Sequence, residues 1–177
     1  MNNETVLVVD DEPEVADSYA LRLQDEFDVK TAYGGEEALE MIDEEIDVVL
    51  LDRRMPDMSG DEVLSRIRYK QLDPAVAMLT AVEPDMDIAL MPFDEYIVKP
   101  ADREELLEKI EGILENHREE ELQRELSSKR VRRNVLEVEK DEDELEESEL
   151  FQQLLTDIRA IEAELGERDE TGPQTAT

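Results

Sequence analysis

Five short apolar runs in the first hundred residues constrain this chain more than any other feature. They are Val6–Val9, Phe27–Ala32, Ile46–Leu51, Ala75–Leu79 and Tyr96–Val98. Between them lie stretches with helical periodicity: Pro13–Asp25, Gly35–Glu44, Ser59–Arg68 and Pro84–Met91. In the first stretch Val15, Tyr19 and Leu23 recur at i, i+4 and i+8 and share one helix face. Pro13 suits a first-turn position, where its missing N–H costs nothing. Gly34-Gly35 punctuates a strand-to-helix turn. Strands alternating with helices imply βαβ units and a parallel sheet. Right-handed crossovers then give an α/β, doubly wound five-stranded sheet. In such a fold ligands bind at the C-terminal edge of the strands.

That edge collects an unusual set of side chains. Asp10 and Asp11 end the first strand, Asp52 the third and Thr80 the fourth, and Lys99 follows the fifth. Carboxylates crowded beside a dry core repel one another. Acids are plentiful here, with 51 Asp+Glu against 19 Lys+Arg and a formal charge of −32, so position rather than composition must single out a functional acid. Abundance does not account for acids, a hydroxyl and an ammonium at the ends of four particular strands. Together they make a hard-oxygen site with a cation beside it. Mg²⁺ favours oxygen ligands and keeps several waters, so a few carboxylates suffice, and the ion would relieve their repulsion. The remaining acids read as solvated surface. Thirteen of the basic residues are Arg and six are Lys, a balance that resembles extreme halophiles, where molar salt screens self-repulsion. Cys is absent, which excludes disulfides and thiolate metal sites. No apolar run approaches the roughly 20 residues of a membrane span. "MNNETV" lacks the basic and apolar regions of a signal peptide, so a soluble, cytoplasmic protein without membrane partners is expected.

The ordered set "VVDDEP", "LLDRRMPDMSG", "MLTA" and "DEYIVKP" resembles the receiver domain of two-component response regulators, across about residues 4 to 115. The resemblance implies a flavodoxin-like receiver domain over residues 1–116, with a sensor histidine kinase as partner and Mg²⁺ as cofactor. It implies that Asp52 is the phosphoacceptor. It implies that Asp10, Asp11, Asp52 and the backbone carbonyl of Arg54 hold the metal, Asp10 largely through water. Thr80 and Lys99 would stabilise the phosphoryl group, Tyr96 would be the aromatic that swings inward on activation, and Pro100 would follow a cis peptide. Such a protein is a phosphoacceptor switch, with self-catalysed phosphotransfer and autodephosphorylation, rather than a turnover enzyme. An acyl-phosphate phosphatase would instead need a second acid two residues past its nucleophile, where this chain has Arg54. The interval from Thr80 to Lys99 is short for the family and is bracketed by Pro84 and Pro92, so the fourth helix should be stubby.

Asp102 is placed to cap a helix that follows Pro100, with Leu106, Ile110, Ile113 and Leu114 packing on the receiver. Beyond it, Val131, Val135 and Val138 share a helix face, and "KDEDELEESE" reads as a turn. Leu150, Leu154, Ile158, Ile161 and Leu165 then recur every three or four residues, with Gly166 as C-cap. These signals predict a small all-α hairpin or coiled coil over 117–166 and a disordered tail over 167–177. "SSKRVRRNVLEVEKDEDELEESELFQQLL" resembles the HalX domain, found behind receivers in haloarchaeal regulators. The helical module is the expected output. Lys129, Arg130, Arg132 and Arg133 make the one dense basic cluster. DNA binding through it is the alternative reading, disfavoured because no helix-turn-helix is evident and acids such as Glu137, Glu139 and Asp141 stand nearby. A protein partner is therefore the expected output, and a homodimer through the last receiver helix and the helical module remains open.

Overall fold

The computed structural model describes residues 3–171. The chain divides into two compact units, residues 1–115 and 116–177.

In the first unit the chain runs β1 (Thr5–Val9), α1 (Pro13–Leu23), β2 (Asp28–Ala32), α2 (Gly35–Met41), β3 (Val48–Leu51), α3 (Gly60–Tyr69), β4 (Ala75–Thr80), a 3₁₀ turn (Met86–Leu90) and β5 (Glu95–Val98). The helix α4 (Arg103–Glu139) follows, and its residues up to Glu115 belong to this unit. All strands are parallel, in the order β2-β1-β3-β4-β5. The order reverses beside β1, which opens the crevice where doubly wound folds place their sites.

Strand periodicity divides the core into two layers. Val6 and Val8, Val48 and Leu50, Ala77 and Leu79, and Ile97 face α1 and the start of α4, against Ala16, Tyr19, Leu23, Leu106, Ile110 and Ile113. Leu7 and Val9, Val49 and Leu51, and Val76 and Met78 face α2 and α3, against Ala38, Val63, Leu64 and Ile67. The central strands are apolar on both faces because both are covered. β2, an edge strand, alternates instead. The Asp102 carboxylate caps α4 by accepting from the Glu105 N–H at 2.9 Å.

The second unit contains the rest of α4, a short helix α5 (Glu142–Glu147) and α6 (Glu149–Thr171). Its seam is thin: Leu126, Ile158 and Ile161 are buried, with Leu122, Leu154 and Leu165 against them. Arg118 pairs with Glu164 at 2.9 Å and Lys129 with Asp157 at 3.0 Å, so α4 and α6 run antiparallel.

Four local expectations are corrected. The stretch Pro84–Met91 forms only a five-residue 3₁₀ turn with no buried side chain, because Met86 and Leu90 face solvent; Met91, just past the turn, packs partly buried against the core. Val131, Val135 and Val138 are exposed, since α6 seats on the neighbouring Leu122/Leu126 face of α4. Leu150 is exposed too, and Phe151 is buried in its place. Gly166 does not end its helix: α6 continues to Thr171, and no glycine has positive φ among the described residues. The expected disordered tail is thus helical over 167–171, and its remainder, 172–177, lies outside the described residues.

Two glycines carry opposite expectations. A Cβ on Gly60 would fall on the Asp52 carbonyl oxygen and lie 2.9 Å from Arg53 Cα, both backbone atoms. Gly60→Ala should therefore destabilise the protein by about 1–3 kcal/mol, the range for overpacking. Gly166 sits inside a helix with open space where a Cβ would go. Gly166→Ala should raise stability by about 0.5–1 kcal/mol, whereas a capping glycine would show a loss. Denaturant melts of both variants read the two signs.

Candidate functional site

The register of the sheet places the polar cluster. Val9 lies opposite Leu51, so the next residues of β1 and β3, Asp10 and Asp52, emerge side by side. The backbone ladder runs one step beyond the strands and pins them. Asp10 N–H donates to Ala32 O at 3.1 Å, Asp52 N–H to Val9 O at 3.0 Å, and Lys99 N–H to Thr80 O at 2.9 Å. Carboxylate oxygens of Asp10, Asp11 and Asp52 all lie within 4.8 Å of one another.

Burial and charge act against each other here. Asp10 is buried, and Asp52 is 9% exposed. Lys99 forms an ion pair with Asp10 and lies 3.7 Å from Asp52 Oδ2. Its ammonium sits 5.8 Å from the centre of the Tyr19 ring. Thr80 is fully buried at the end of β4, and its hydroxyl accepts from the Val82 N–H at 3.3 Å. Burial pushes the Asp52 carboxyl above its ordinary value; Lys99 and Thr80 oppose the shift, and Asp10 adds to it. A cluster of hard oxygens with too little positive charge fits a small divalent cation such as Mg²⁺.

The other predicted residues surround this cluster. Arg54 is exposed in the loop two residues past Asp52. Tyr96 is half-buried, packed 5.6 Å from the Phe93 ring centre, and its hydroxyl donates to Val82 O at 2.6 Å. The Lys99–Pro100 peptide is cis. The basic cluster lies in the other unit, and its cations have partners there. Lys129 pairs with Asp157 and Glu125, Arg130 with Glu162 at 2.6 Å, and Arg133 with Glu137 at 3.9 Å, while Arg132 donates to Ser128. Of the acids expected to take this part, Glu137 does so, joined by acids on α6 that only the hairpin brings close.

Sequence reasoning missed two residues. Gly60 passes for a loop residue, yet it lets the start of α3 touch the Asp52 backbone, where its N–H donates to Arg53 O at 2.8 Å. Arg53 passes for surface charge, yet it is 8% exposed, with its guanidinium on Asp61 and Asp87. Neither carries a one-dimensional signal, because both contacts come from the β3–α3 loop folding back.

Comparison with known proteins agrees with this geometry. Residues 6–111 match the response regulator receiver domain and residues 104–171 the HalX domain. The chain belongs to the response regulator receiver family. A candidate transcriptional regulator of Haloferax volcanii is 47% identical over 162 residues, 91% of this chain and 28% of that protein, so the chain spans well under half of that relative's length. A CheY-like receiver domain protein from Methanospirillum hungatei matches with a TM-score of 0.61 and 28% identity, over 66% of this chain and 98% of that one. The response regulator TrrA of Thermotoga maritima, solved in complex with Mg(2+)-BeF, matches at 0.55 and 38% identity, over 62% and 98%. Among the described residues no helix is long and apolar enough to cross a membrane.

The raised Asp52 carboxyl has a consequence for stability. The folded state binds the proton more tightly than the unfolded one, so stability falls as pH rises from the ordinary carboxylate value through the raised one. Asp52→Asn should flatten that fall and raise the melting temperature at neutral pH in chelator. Added Mg²⁺ should stabilise the parent protein more than the variant. A variant that melts lower than the parent in chelator would show that Lys99 and Thr80 outweigh burial.

Proposed function

We propose that this chain is the phosphoacceptor of a two-component relay, with residues 1–116 as receiver and 117–166 as helical output module. The observation that carries the reading is the convergence of Asp10, Asp11 and Asp52 within 4.8 Å, with Lys99 on the same carboxylates and Thr80 buried at the end of the neighbouring strand. An Asp52 carboxylate oxygen attacks the phosphorus of a phosphohistidine on a sensor histidine kinase. The P–N bond breaks, an acyl phosphate forms on Asp52, and the imidazole leaves and takes up a proton. Asp10, Asp11, Asp52 and the Arg54 carbonyl would hold Mg²⁺, which when bound neutralises charge on the phosphoryl oxygens.

The chain's own groups do the rest. The Thr80 hydroxyl, buried at the end of β4, turns to the phosphoryl oxygens. Lys99 exchanges part of its pairing with Asp10 for the new negative charge. Both shifts draw in the ends of β4 and β5, and Tyr96 follows through the Val82 carbonyl. The protein acts as a switch, since the group it accepts stays on its own side chain until water removes it.

We read the output as protein-contacting. Cations of the basic cluster are engaged by acids of their own unit, whereas Val131, Val135 and Val138 lie exposed. In a protein of this charge, neutralising Lys129, Arg130, Arg132 and Arg133 should loosen the hairpin at low salt, by at most about 1 kcal/mol per exposed pair. Tight, sequence-selective DNA binding by the full chain in molar KCl, lost on the same substitutions, would replace this reading with the transcriptional one.

Incubation with acetyl phosphate and Mg²⁺ should label the parent protein and leave Asp52→Asn unlabelled. Asp11→Ala should weaken Mg²⁺ binding, and Asp10→Ala should do so less. Equal labelling of Asp52→Asn at another carboxylate would remove the assignment.

A further inference from the structure

The 3₁₀ turn between β4 and β5 is held in place by charge, while Met91 and Phe93 beyond it pack partly buried against the core. The turn buries none of its own side chains, and Met86 and Leu90 lie almost wholly in solvent. Apolar packing therefore does not anchor its centre. An ion pair does: Asp87 Oδ2 accepts from the Arg53 guanidinium at 2.6 Å.

The same guanidinium grips a further element. Its Nε and a terminal nitrogen donate to both carboxylate oxygens of Asp61, in the first turn of α3, at 2.9 and 2.8 Å. The Tyr96 hydroxyl reaches the same segment separately, donating to the Val82 carbonyl at 2.6 Å. Arg53 follows Asp52 directly in the chain, and its carbonyl accepts from the Gly60 N–H at 2.8 Å. One residue is thus joined to the acceptor acid through the peptide and touches α3 and the 3₁₀ turn through its side chain.

We infer that Arg53 is the positioning residue that carries the state of Asp52 to the 82–91 segment and to Tyr96, an inference that rests on the phosphoacceptor reading. A guanidinium suits this task because its planar fork serves two carboxylates at once, which an ammonium does so less well. The Arg53 side chain is 9% exposed, against 56% for Asp87. The pair is therefore buried on one side and screened less than a surface pair when salt is high. When Thr80 and Lys99 move toward an acyl phosphate, the end of β4 moves with them. The 82–91 segment, tied to Arg53 at Asp87 and to Tyr96 at Val82, then shifts as one piece.

Hydrogen–deuterium exchange over 82–91, with and without acetyl phosphate and Mg²⁺, tests this on the full chain. Phosphorylation should change protection of this segment in the parent protein. Arg53→Met should exchange about tenfold faster there before phosphorylation, as loss of a charge-assisted hydrogen bond implies. It should still take label on Asp52, and the phosphorylation-dependent change should be lost. Asp87→Asn, altered at an exposed residue that leaves Asp61 paired, should lose the same response, and the double variant should match either single one. If the single variants label on Asp52 and their segment responds as in the parent, Arg53 is structural and the inference fails while the phosphoacceptor reading stands. If the parent takes no label on Asp52, both fail.

Discussion

Three carboxylates held within 4.8 Å at the end of a dry core set the terms for the rest of the receiver. The sheet forces them together. Asp10 and Asp52 follow paired residues of adjacent inner strands, and backbone hydrogen bonds hold both past the strand ends. Neither can retreat without breaking a ladder bond next to fully buried Val9 and Leu51. Burial disfavours the charge on Asp52, and Lys99, which also pairs with Asp10, opposes it in part. The site is thus left short of positive charge by its own backbone. Whatever supplies that charge, or changes how much negative charge must be met, acts directly on the positions of Lys99 and Thr80.

The sequence disclosed this arrangement because the two periodicities that determine it are local. Period two along each strand, together with where the apolar run stops, tells which residue leaves the sheet edge. That suffices to bring Asp10, Asp11, Asp52, Thr80 and Lys99 together. Helix faces were legible where one layer of sheet awaited them, as with Tyr19 and Leu23 or Ile110 and Ile113. They were less legible in the second unit. Val131, Val135 and Val138 satisfy helical spacing as well as Leu122 and Leu126 do, and only the position of α6 decides which stripe is covered. Arg53 and Gly60 were hidden for a related reason. Their roles depend on a loop turning back on the strand it left, and no repeat in the sequence records that.

The two units solve the problem of net charge differently. The receiver has two apolar layers, so its surface acids need only be solvated or screened. The helical unit buries a few aliphatic residues along one seam, too little to hold a small module firmly. Ion pairs across its helices supplement the seam: Arg118 with Glu164, Lys129 with Asp157, Arg130 with Glu162. Arg118–Glu164 and Arg130–Glu162 are exposed, so salt weakens them more than Lys129–Asp157, whose ammonium is mostly buried, while it also relieves repulsion among the surplus acids. The second effect acts on many more charges than the first, so added salt should favour this unit on balance. A scarcity of cations also makes each Arg and Lys more valuable inside the fold than outside it, which explains why a dense basic cluster here faces acids of its own unit.

Within the receiver, anchoring is uneven around the site, and that unevenness decides where a change of charge can produce movement. On one side, Asp10 and Asp52 stem from inner strands apolar on both faces. On the other, Thr80 and Lys99 bound a connection whose 3₁₀ turn buries no side chain and whose strand β5 lies at the sheet edge. Displacing an inner strand would disturb both core layers. Displacing the connection disturbs hydrogen bonds and ion pairs that water can partly replace, and local opening is easiest where apolar contacts are fewest. Charge added at Asp52 therefore meets a rigid wall behind it and a movable one in front. The short β4–β5 connection, a departure from a full fourth helix, steepens that contrast: its 3₁₀ turn adds no buried side chain to resist movement and is positioned by a small number of polar contacts, with Met91 and Phe93 packing only beyond it.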